Sequence, residues 1–159
     1  MKATEIAAWW GATIATLVLA WDIYKWKRSG PIVNVSASPN METFGGVPNS
    51  LNNKTFVVVE VTNTGSKKTT LTHLVGFYYK SLFHKLRKKQ EKSFIVANPA
   101  LSGPLPHVLE SGERWLGAIE QNKELEEMSR NGYLFVGVYH SFGRKPILKR
   151  VIIIKEDAT

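Results

Sequence analysis

Residues 6–21 constrain the fold of this chain more than any other stretch, because they contain no ionisable side chain. A bilayer core about 30 Å thick is crossed by roughly 20 mostly apolar residues of helix. Trp9 and Trp10 stand near one end of the stretch, and three further aromatic side chains lie within residues 21–26. Tryptophan and tyrosine concentrate at the two headgroup levels of a bilayer. The sequence therefore predicts a single transmembrane anchor in residues 1–29.

A cleavable signal peptide is the alternative interpretation of this stretch. Signal peptides combine a basic start, an apolar core of about 7–15 residues and small residues at the cleavage site. Here Glu5 opposes Lys2, the apolar run is longer, and Trp21, Tyr24 and Trp26 occupy the positions where small residues are expected. The uncleaved anchor is the favoured interpretation.

The basic residues beside the anchor predict its orientation. Lys2 precedes the apolar stretch, whereas Lys25, Lys27 and Arg28 follow it. Lysine and arginine close to a spanning helix remain on the cytoplasmic side. We therefore expect an amino terminus outside and a cytoplasmic domain in residues 30–159.

The anchor also carries features that could serve helix packing. Ala7, Gly11 and Ala15 form a row of small side chains at a spacing of four residues, which would let a second helix approach closely in lipid. Self-association or pairing with another membrane protein is expected from this row, although such residues are common in spanning helices. Asp22 and Lys25 are three residues apart and are expected to form an interfacial ion pair, or to contact a partner helix.

Residues 30–159 alternate apolar and β-branched runs with turn residues, a pattern typical of β-strands. Asn122 can cap a short helix over residues 123–130, and residues 39–54 are predicted to be a long loop. We expect a mainly β fold in which the anchor precedes an immunoglobulin-like antiparallel β-sandwich of about seven strands with one short helix, or else a partly open barrel. The segments with strand character are residues 32–37, 55–62, 69–80, 93–97, 107–110, 114–119, 133–142 and 147–154.

A basic run is the most informative polar feature of a chain whose net charge is +8. It could be a solvated connector, or it could contact anionic lipid headgroups, an acidic protein or nucleic acid. Nucleic acid is disfavoured because no aromatic residues alternate with the charges as stacking platforms. The run consists of Lys80, Lys85, Arg87, Lys88, Lys89 and Lys92.

Opposite charge is concentrated on the predicted short helix and just before it, at Glu120, Glu124, Glu126 and Glu127. These carboxylates could be a solvated helix face, or they could meet the basic run of a neighbouring copy.

Aromatic side chains alternate along two predicted strands that have apolar residues on both faces. Such a strand is either covered on both sides or exposes an aromatic patch. If the two strands pair, one sheet carries an outer aromatic face, and such residues are favoured at protein interfaces. The candidate partner face comprises Phe77, Tyr79, Tyr133, Phe135 and Tyr139.

The sequence carries no signature of catalysis, and we expect neither an enzyme nor a bound cofactor or metal. There is no cysteine, and the four histidines lack the spacing of metal ligands. Motifs such as a phosphate-binding glycine loop or a nucleophile elbow are absent from the sequence.

Three segments carry a resemblance to a known group of proteins. They are AAWWGATIATLVLAWDIYKWKRSGP (residues 7–31), VEVTNTGSKKTTLTHL (residues 59–74) and LESGERWLG (residues 109–117). In these segments the chain resembles small bacterial single-span membrane proteins. The resemblance implies a bacterial inner-membrane protein and transfers no functional residue.

Two functions follow as expectations. In the first, the chain is a membrane-anchored interaction or assembly protein whose sandwich binds a protein partner while the basic run contacts lipid. In the second, it is a membrane-surface sensor or effector whose sandwich binds a small ligand and whose helix oligomerises.

Overall fold

The computed structural model describes residues 3–43, 54–99 and 101–154, without the side chains of residues 3, 27 and 28. It is a mainly β structure with an amino-terminal helix and two antiparallel sheets. Within those ranges the elements are α1 (Ala3–Arg28), β1 (Val33–Glu42), β2 (Thr55–Asn63), β3 (Thr69–Tyr79), α2 (Leu82–Leu86), β4 (Lys92–Ile95), β5 (His107–Leu109), β6 (Arg114–Glu120), α3 (Lys123–Asn131), β7 (Tyr133–His140) and β8 (Ile147–Val151).

Helix α1 is long and apolar enough to cross a membrane by length and composition. Its apolar part, Thr4–Trp26, has 23 residues and would extend roughly 35 Å at 1.5 Å per residue. Apolar side chains surround the helix, and none of this part is buried against the rest of the protein. A helix that is apolar on all sides normally lies in a protein core or a bilayer. The helix ends at Arg28, within the anchor predicted in residues 1–29, and the Asp22–Lys25 ion pair forms at 3.5 Å.

The strands form one sheet of three and one of five, where about seven strands were predicted in all. The three-stranded sheet has the order β1-β2-β6. The five-stranded sheet has the order β4-β3-β7-β8, and β5 pairs with the start of β3. The two aromatic strands pair, which is the condition set for an outer aromatic face, since Phe77 lies opposite Phe135 in the register of β3 and β7.

The shared core lies between the inner faces of the two sheets. Successive strand residues point to opposite faces, so alternate side chains of β2 and β7 enter this core. Trp115 is fully buried, and its indole Nε1 donates a hydrogen bond to the Gly103 carbonyl at 3.0 Å. The core includes Val57, Val59 and Val61 from one sheet and Leu134, Val136 and Val138 from the other.

Two local predictions have different outcomes. The Asn122 cap is confirmed, because its Oδ1 accepts a hydrogen bond from the Leu125 backbone N–H at 2.9 Å at the start of α3. The predicted loop from residue 39 onward is wrong at its beginning, because β1 continues to Glu42. Proline is tolerated in an edge strand beside an irregularity, and the β1–β2 register shifts between Ser38 and Met41. The rest of that predicted loop, residues 44–53, lies outside the described residues.

Strand direction gives the β-domain two different ends. Thr64 N–H donates to the Ile32 carbonyl at 2.8 Å, and Ser66 Oγ donates to the Ser29 carbonyl at 3.2 Å. The turn of residues 64–68 therefore lies beside the end of α1. We call this the anchor end; the antiparallel registers bring two further turns to it, residues 110–113 and 141–146.

Helices α2 and α3 lie at the opposite, distal end. Strand β3 starts at the anchor end and runs 11 residues to Tyr79, roughly 33 Å at 3.3 Å per residue. Helix α2 follows directly, and α3 connects the distal ends of β6 and β7. The basic run predicted from the sequence is therefore far from the anchor along the strand axis.

A buried asparagine holds the anchor end together. Asn63 Oδ1 accepts hydrogen bonds from the Gly65 and Ile32 backbone N–H groups at 3.0 and 3.3 Å. Its Nδ2 donates to the Lys67 and Leu109 carbonyls at 2.8 and 3.2 Å. The side chain is fully buried, so its amide links β1, the 64–68 turn and β5.

We expect Asn63→Ala to destabilise the β-domain by about 3 kcal/mol, because several buried backbone groups would lose their partner. Thermal unfolding of the full chain in detergent micelles, followed by circular dichroism, measures the effect. Asn34→Ala is the matched control, since that exposed amide donates one bond, to Thr64 Oγ1 at 3.0 Å. An equal decrease in the thermal midpoint of both variants would contradict the role of Asn63.

Candidate protein-interaction surface

Helix α2 presents its apolar side chains to solvent. Ser81 caps the helix, with its Oγ accepting a hydrogen bond from the Phe83 N–H at 3.2 Å. No residue of this helix is buried, and Leu82, Phe83 and Leu86 are 49%, 58% and 80% exposed. Three large apolar side chains on one short exposed helix are a local candidate for contact with another molecule.

The basic run is divided by its contacts. Lys80 pairs with Glu91, and Lys92 pairs with Glu124 of α3 at 3.0 Å. The hydrogen bonds and charges of these carboxylates raise the pKa of both lysines. The two ends of the run are thus neutralised locally.

The middle of the run holds the remaining cations. Arg87 lies over the Phe83 ring, 4.6 Å from its centroid. Lys88 and Lys89 are exposed, and these three cations form no ion pair with any residue that the structure describes. They follow the apolar residues of α2 directly in the chain, and together with them form an exposed surface that is both apolar and basic. We call it the distal surface: Leu82, Phe83, Leu86, Arg87, Lys88 and Lys89.

Lys85 points the other way and covers the five-stranded sheet. Its Nζ lies 3.7 Å from the centroid of the Phe135 ring, within the range of a cation–π contact. On the same sheet Arg150 Cζ lies 4.4 Å from the centroid of the Tyr133 ring. These two cations partly cover the outer face of the sheet.

The predicted aromatic face exists as a second packed cluster on this outer side. Phe77, Tyr79 and Phe135 are only 7%, 4% and 5% exposed, whereas Tyr133 and Tyr139 are half-buried. The rings of Tyr79 and Phe135 meet edge to face with centroids 5.9 Å apart. The sequence left open whether this face is covered or exposed as an aromatic patch. In the structure most of it is covered.

The acidic side chains lie at the same end as the distal surface but are partly engaged. Glu120 pairs with Lys54 at 2.9 Å, and Glu124 is the partner of Lys92. Glu126 Oε1 accepts a hydrogen bond from Gln121 Nε2 at 3.4 Å. Glu127 is exposed.

The small-residue row of the anchor is open. Ala7, Gly11 and Ala15 are all exposed along α1, and a side chain added at Gly11 would meet no atom within 4 Å. The neighbouring hydroxyls of Thr13 and Thr16 donate to carbonyls four residues earlier in the same helix.

A cavity of about 660 Å³ lies on the outer side of the three-stranded sheet. Its wall is mainly apolar and includes Phe56, Val58, Leu116 and Ala118 from β2 and β6. This volume is within the usual range of small-molecule sites. Residues 41–43 form one rim of the cavity, and they are the last described residues before position 54.

Sequence reasoning missed the anchor end as a distinct region. Phe142 is 67% exposed there, and Arg144 and Lys145 follow in the same loop. The sequence shows turn residues between the strands, but no local sequence pattern indicates which of these turns lie together beside α1.

Two titratable groups at the anchor end are shifted. The Glu110 backbone N–H and the His107 ring hold the pKa of the Glu113 carboxyl below its ordinary value. Burial lowers the pKa of His140, whose Nδ1 lies 3.3 Å from the Thr69 hydroxyl.

We expect acid to destabilise the β-domain through His140. The unfolded chain protonates this ring near pH 6.5, at higher pH than the folded chain does, so stability is retained above about pH 6.5 and falls below it. Thermal midpoints measured from about pH 7.5 to about pH 5.5 should fall less in His140→Asn than in the wild type. A wild-type slope in His140→Asn would contradict the assignment.

His73, His84, His107 and His140 lie on four different elements. No group of three or more acidic or histidine side chains that could hold a metal ion occurs within the described ranges. Comparisons with protein-family models, with curated proteins and with solved structures each gave no match for this chain.

Proposed function

We propose that this chain is a membrane-anchored interaction protein whose distal surface binds a protein partner. The observation that carries the proposal is the exposure of Leu82, Phe83 and Leu86 next to three cations that form no ion pair with the described residues. Apolar anchors inside a polar rim are the usual anatomy of a protein interface. No enzymatic step is part of this function.

The anchoring is supported by α1. Its apolar surface is uncovered by the rest of the described chain, and Trp9, Trp10, Trp21 and Trp26 are all exposed near its two ends. A bilayer would cover this surface and receive the indole rings at its headgroup levels. Because basic residues follow α1, we propose that the chain is a bacterial inner-membrane protein whose β-domain faces the cytoplasm.

The strand order supports an immunoglobulin-like sandwich as the scaffold. In that fold strands A, B and E share one sheet, and strands C, F and G share the other. The orders β1-β2-β6 and β3-β7-β8 correspond to these two sets in chain order. Such folds serve many functions, so the scaffold supports rigidity of the surface and no particular partner.

The chemistry of the distal surface favours an acidic protein partner with an apolar groove. Arg87, Lys88 and Lys89 would meet the acidic rim of such a groove, and Leu86 would enter it. Charge complementarity of this kind mainly accelerates association and selects partners, whereas the buried apolar anchors provide most of the affinity.

Distance from the anchor favours protein over lipid for the basic run. Anionic headgroups attract a cation over about one Debye length, roughly 8 Å at physiological salt. Strand β3 separates α2 from the anchor end by roughly 33 Å. Phe135 then contacts α2 through Lys85, while the partner contacts the exposed side of the helix.

We expect Phe83→Ser and Leu86→Ser each to weaken partner binding about thirty-fold, the effect of truncating an interface anchor worth about 2 kcal/mol. The measurement is quantitative recovery of co-purifying proteins from detergent-solubilised membranes with the tagged full chain. Val108→Ser is the control, because Val108 is 49% exposed on β5 at the anchor end.

The α2 variants should keep the wild-type thermal midpoint, since substitutions of exposed residues usually change stability by less than about 0.5 kcal/mol. A set of recovered proteins that is identical for wild type, both α2 variants and Val108→Ser would contradict the proposal.

A second candidate function is a ligand-binding membrane sensor, favoured by the cavity beside Phe56 and Leu116. A ligand present at 100 times its Kd would stabilise the folded chain by about 2.7 kcal/mol. Thermal midpoints of the full chain in micelles, with nucleotides and with lipids, test this function.

The same function predicts that Gly11→Ile reduces the amount of cross-linked oligomer, because the isoleucine side chain would separate the helices. Unchanged thermal midpoints together with unchanged cross-linking would eliminate the candidate.

A further inference from the structure

The three turns of the anchor end lie within a short distance of the point where α1 ends. Ser66 contacts Ser29, and Ser66 is three residues before Thr69. Thr69 Oγ1 lies 3.3 Å from Ser141 Oγ, and the Ser141 N–H donates to the Thr70 carbonyl at 2.9 Å. At no more than about 3.6 Å per residue, the 141–146 loop begins within roughly 20 Å of the end of α1.

The joint between α1 and the β-domain is closely packed. A side chain at Gly65 would collide with backbone atoms of Gly30, Pro31 and Ile32. The Ser66–Ser29 hydrogen bond lies beside this contact. The chain therefore leaves α1 directly against the 64–68 turn, with little length for the domain to move away from the anchor.

The exposed side chains of this end have the composition of a membrane-contacting loop. Phe142 is 67% exposed at the tip of the 141–146 loop, and it is followed by Arg144 and Lys145, both exposed. Lys67 and Lys68 are exposed in the adjacent turn. An aromatic residue surrounded by lysine and arginine is typical of segments that lie at a headgroup layer.

The charge balance of this end is positive even with its acidic groups included. Glu113 is held by the His107 ring at 3.1 Å and by the Glu110 backbone N–H at 2.7 Å. Glu110 approaches Lys68 at 4.0 Å. Arg144, Lys145 and Lys67 form no ion pair with the part of the chain that the structure describes, so their charges are available.

We propose that the anchor end is a lipid-contacting surface, with Phe142 at the headgroup level and Arg144, Lys145 and Lys67 on anionic headgroups. The inference rests on the membrane anchoring proposed above. Near an anionic leaflet each lysine or arginine contributes about 1 kcal/mol, and α1 supplies a high local concentration of the surface. A weak contact is therefore sufficient to hold the domain upright, with α2 directed away from the bilayer.

The absence of cysteine makes this arrangement directly measurable, because a single introduced cysteine can carry an environment-sensitive fluorophore. The labelled positions are Phe142→Cys at the anchor end, Leu86→Cys at the distal surface and Ile14→Cys within α1. The full chain is placed in nanodiscs of phosphatidylcholine alone, or mixed with phosphatidylglycerol. Nitroxide-bearing lipids then quench those fluorophores that contact the bilayer.

We expect the label at Phe142→Cys to be quenched, and more strongly with phosphatidylglycerol present, whereas the label at Leu86→Cys stays unquenched in both lipids. In the Phe142→Cys background, Arg144→Gln and Lys145→Gln should each reduce the ratio of lipid-bound to free domain about five-fold in the anionic nanodiscs. Lys88→Gln with Lys89→Gln, the same charge change at the distal end, should leave quenching at position 142 unchanged.

The three labels separate failure of this inference from failure of the anchoring. Quenching at Ile14→Cys without quenching at Phe142→Cys overturns the lipid-contacting surface and leaves the anchor intact. Stronger quenching at Leu86→Cys than at Phe142→Cys also overturns it, since the domain would then lie with α2 on the lipid. An unquenched label at Ile14→Cys overturns the anchoring and the inference together.

Discussion

The hydrogen bonds of Asn63 are the interaction on which the rest of the structure depends. A fully buried amide that lost its partners would cost about 1–3 kcal/mol for each unsatisfied group, so the groups around it have one favourable arrangement. That arrangement connects the Ile32 N–H, at the start of β1, with the 64–68 turn and with Leu109. Because residue 32 closely follows α1, the same bonds fasten the 64–68 turn and Leu109 beside the end of the anchor.

Antiparallel strand pairing extends the effect of this local arrangement to the whole β-domain. The antiparallel registers place the 64–68, 110–113 and 141–146 turns at the anchor end, and α2 and α3 at the distal end. Both ends expose an aromatic residue with basic neighbours, Phe142 at the anchor end and Phe83 at the distal end, and their position relative to α1 distinguishes them. The two ends therefore present two separate surfaces, which is compatible with the lipid contact and the protein contact that we propose.

The features that the sequence could predict are those determined by neighbouring residues. The end of α1 at Arg28, the Asn122 cap and the two-sided apolar pattern of β7 all arise from local spacing. The features that it could not predict depend on contacts between distant positions. Asn63 looked like an ordinary turn residue because its bond to Leu109 joins positions 46 residues apart. For the candidate site, the basic run was identified, but its division into paired, covering and free cations depended on the sheet register.

The cations that cover the outer face of the five-stranded sheet connect α2 with the aromatic cluster. A sheet that is apolar on both faces needs a cover on its outer side, and Lys85 provides part of it through the Phe135 ring. A lysine can place its apolar stem along an aromatic surface while its ammonium group stays near water. This contact holds α2 against the sheet, so the apolar side chains of Phe83 and Leu86 remain directed outward. In the function that we propose, the residues of the aromatic cluster contribute to partner binding through the position of α2, without an exposed ring of their own at the centre of the contact.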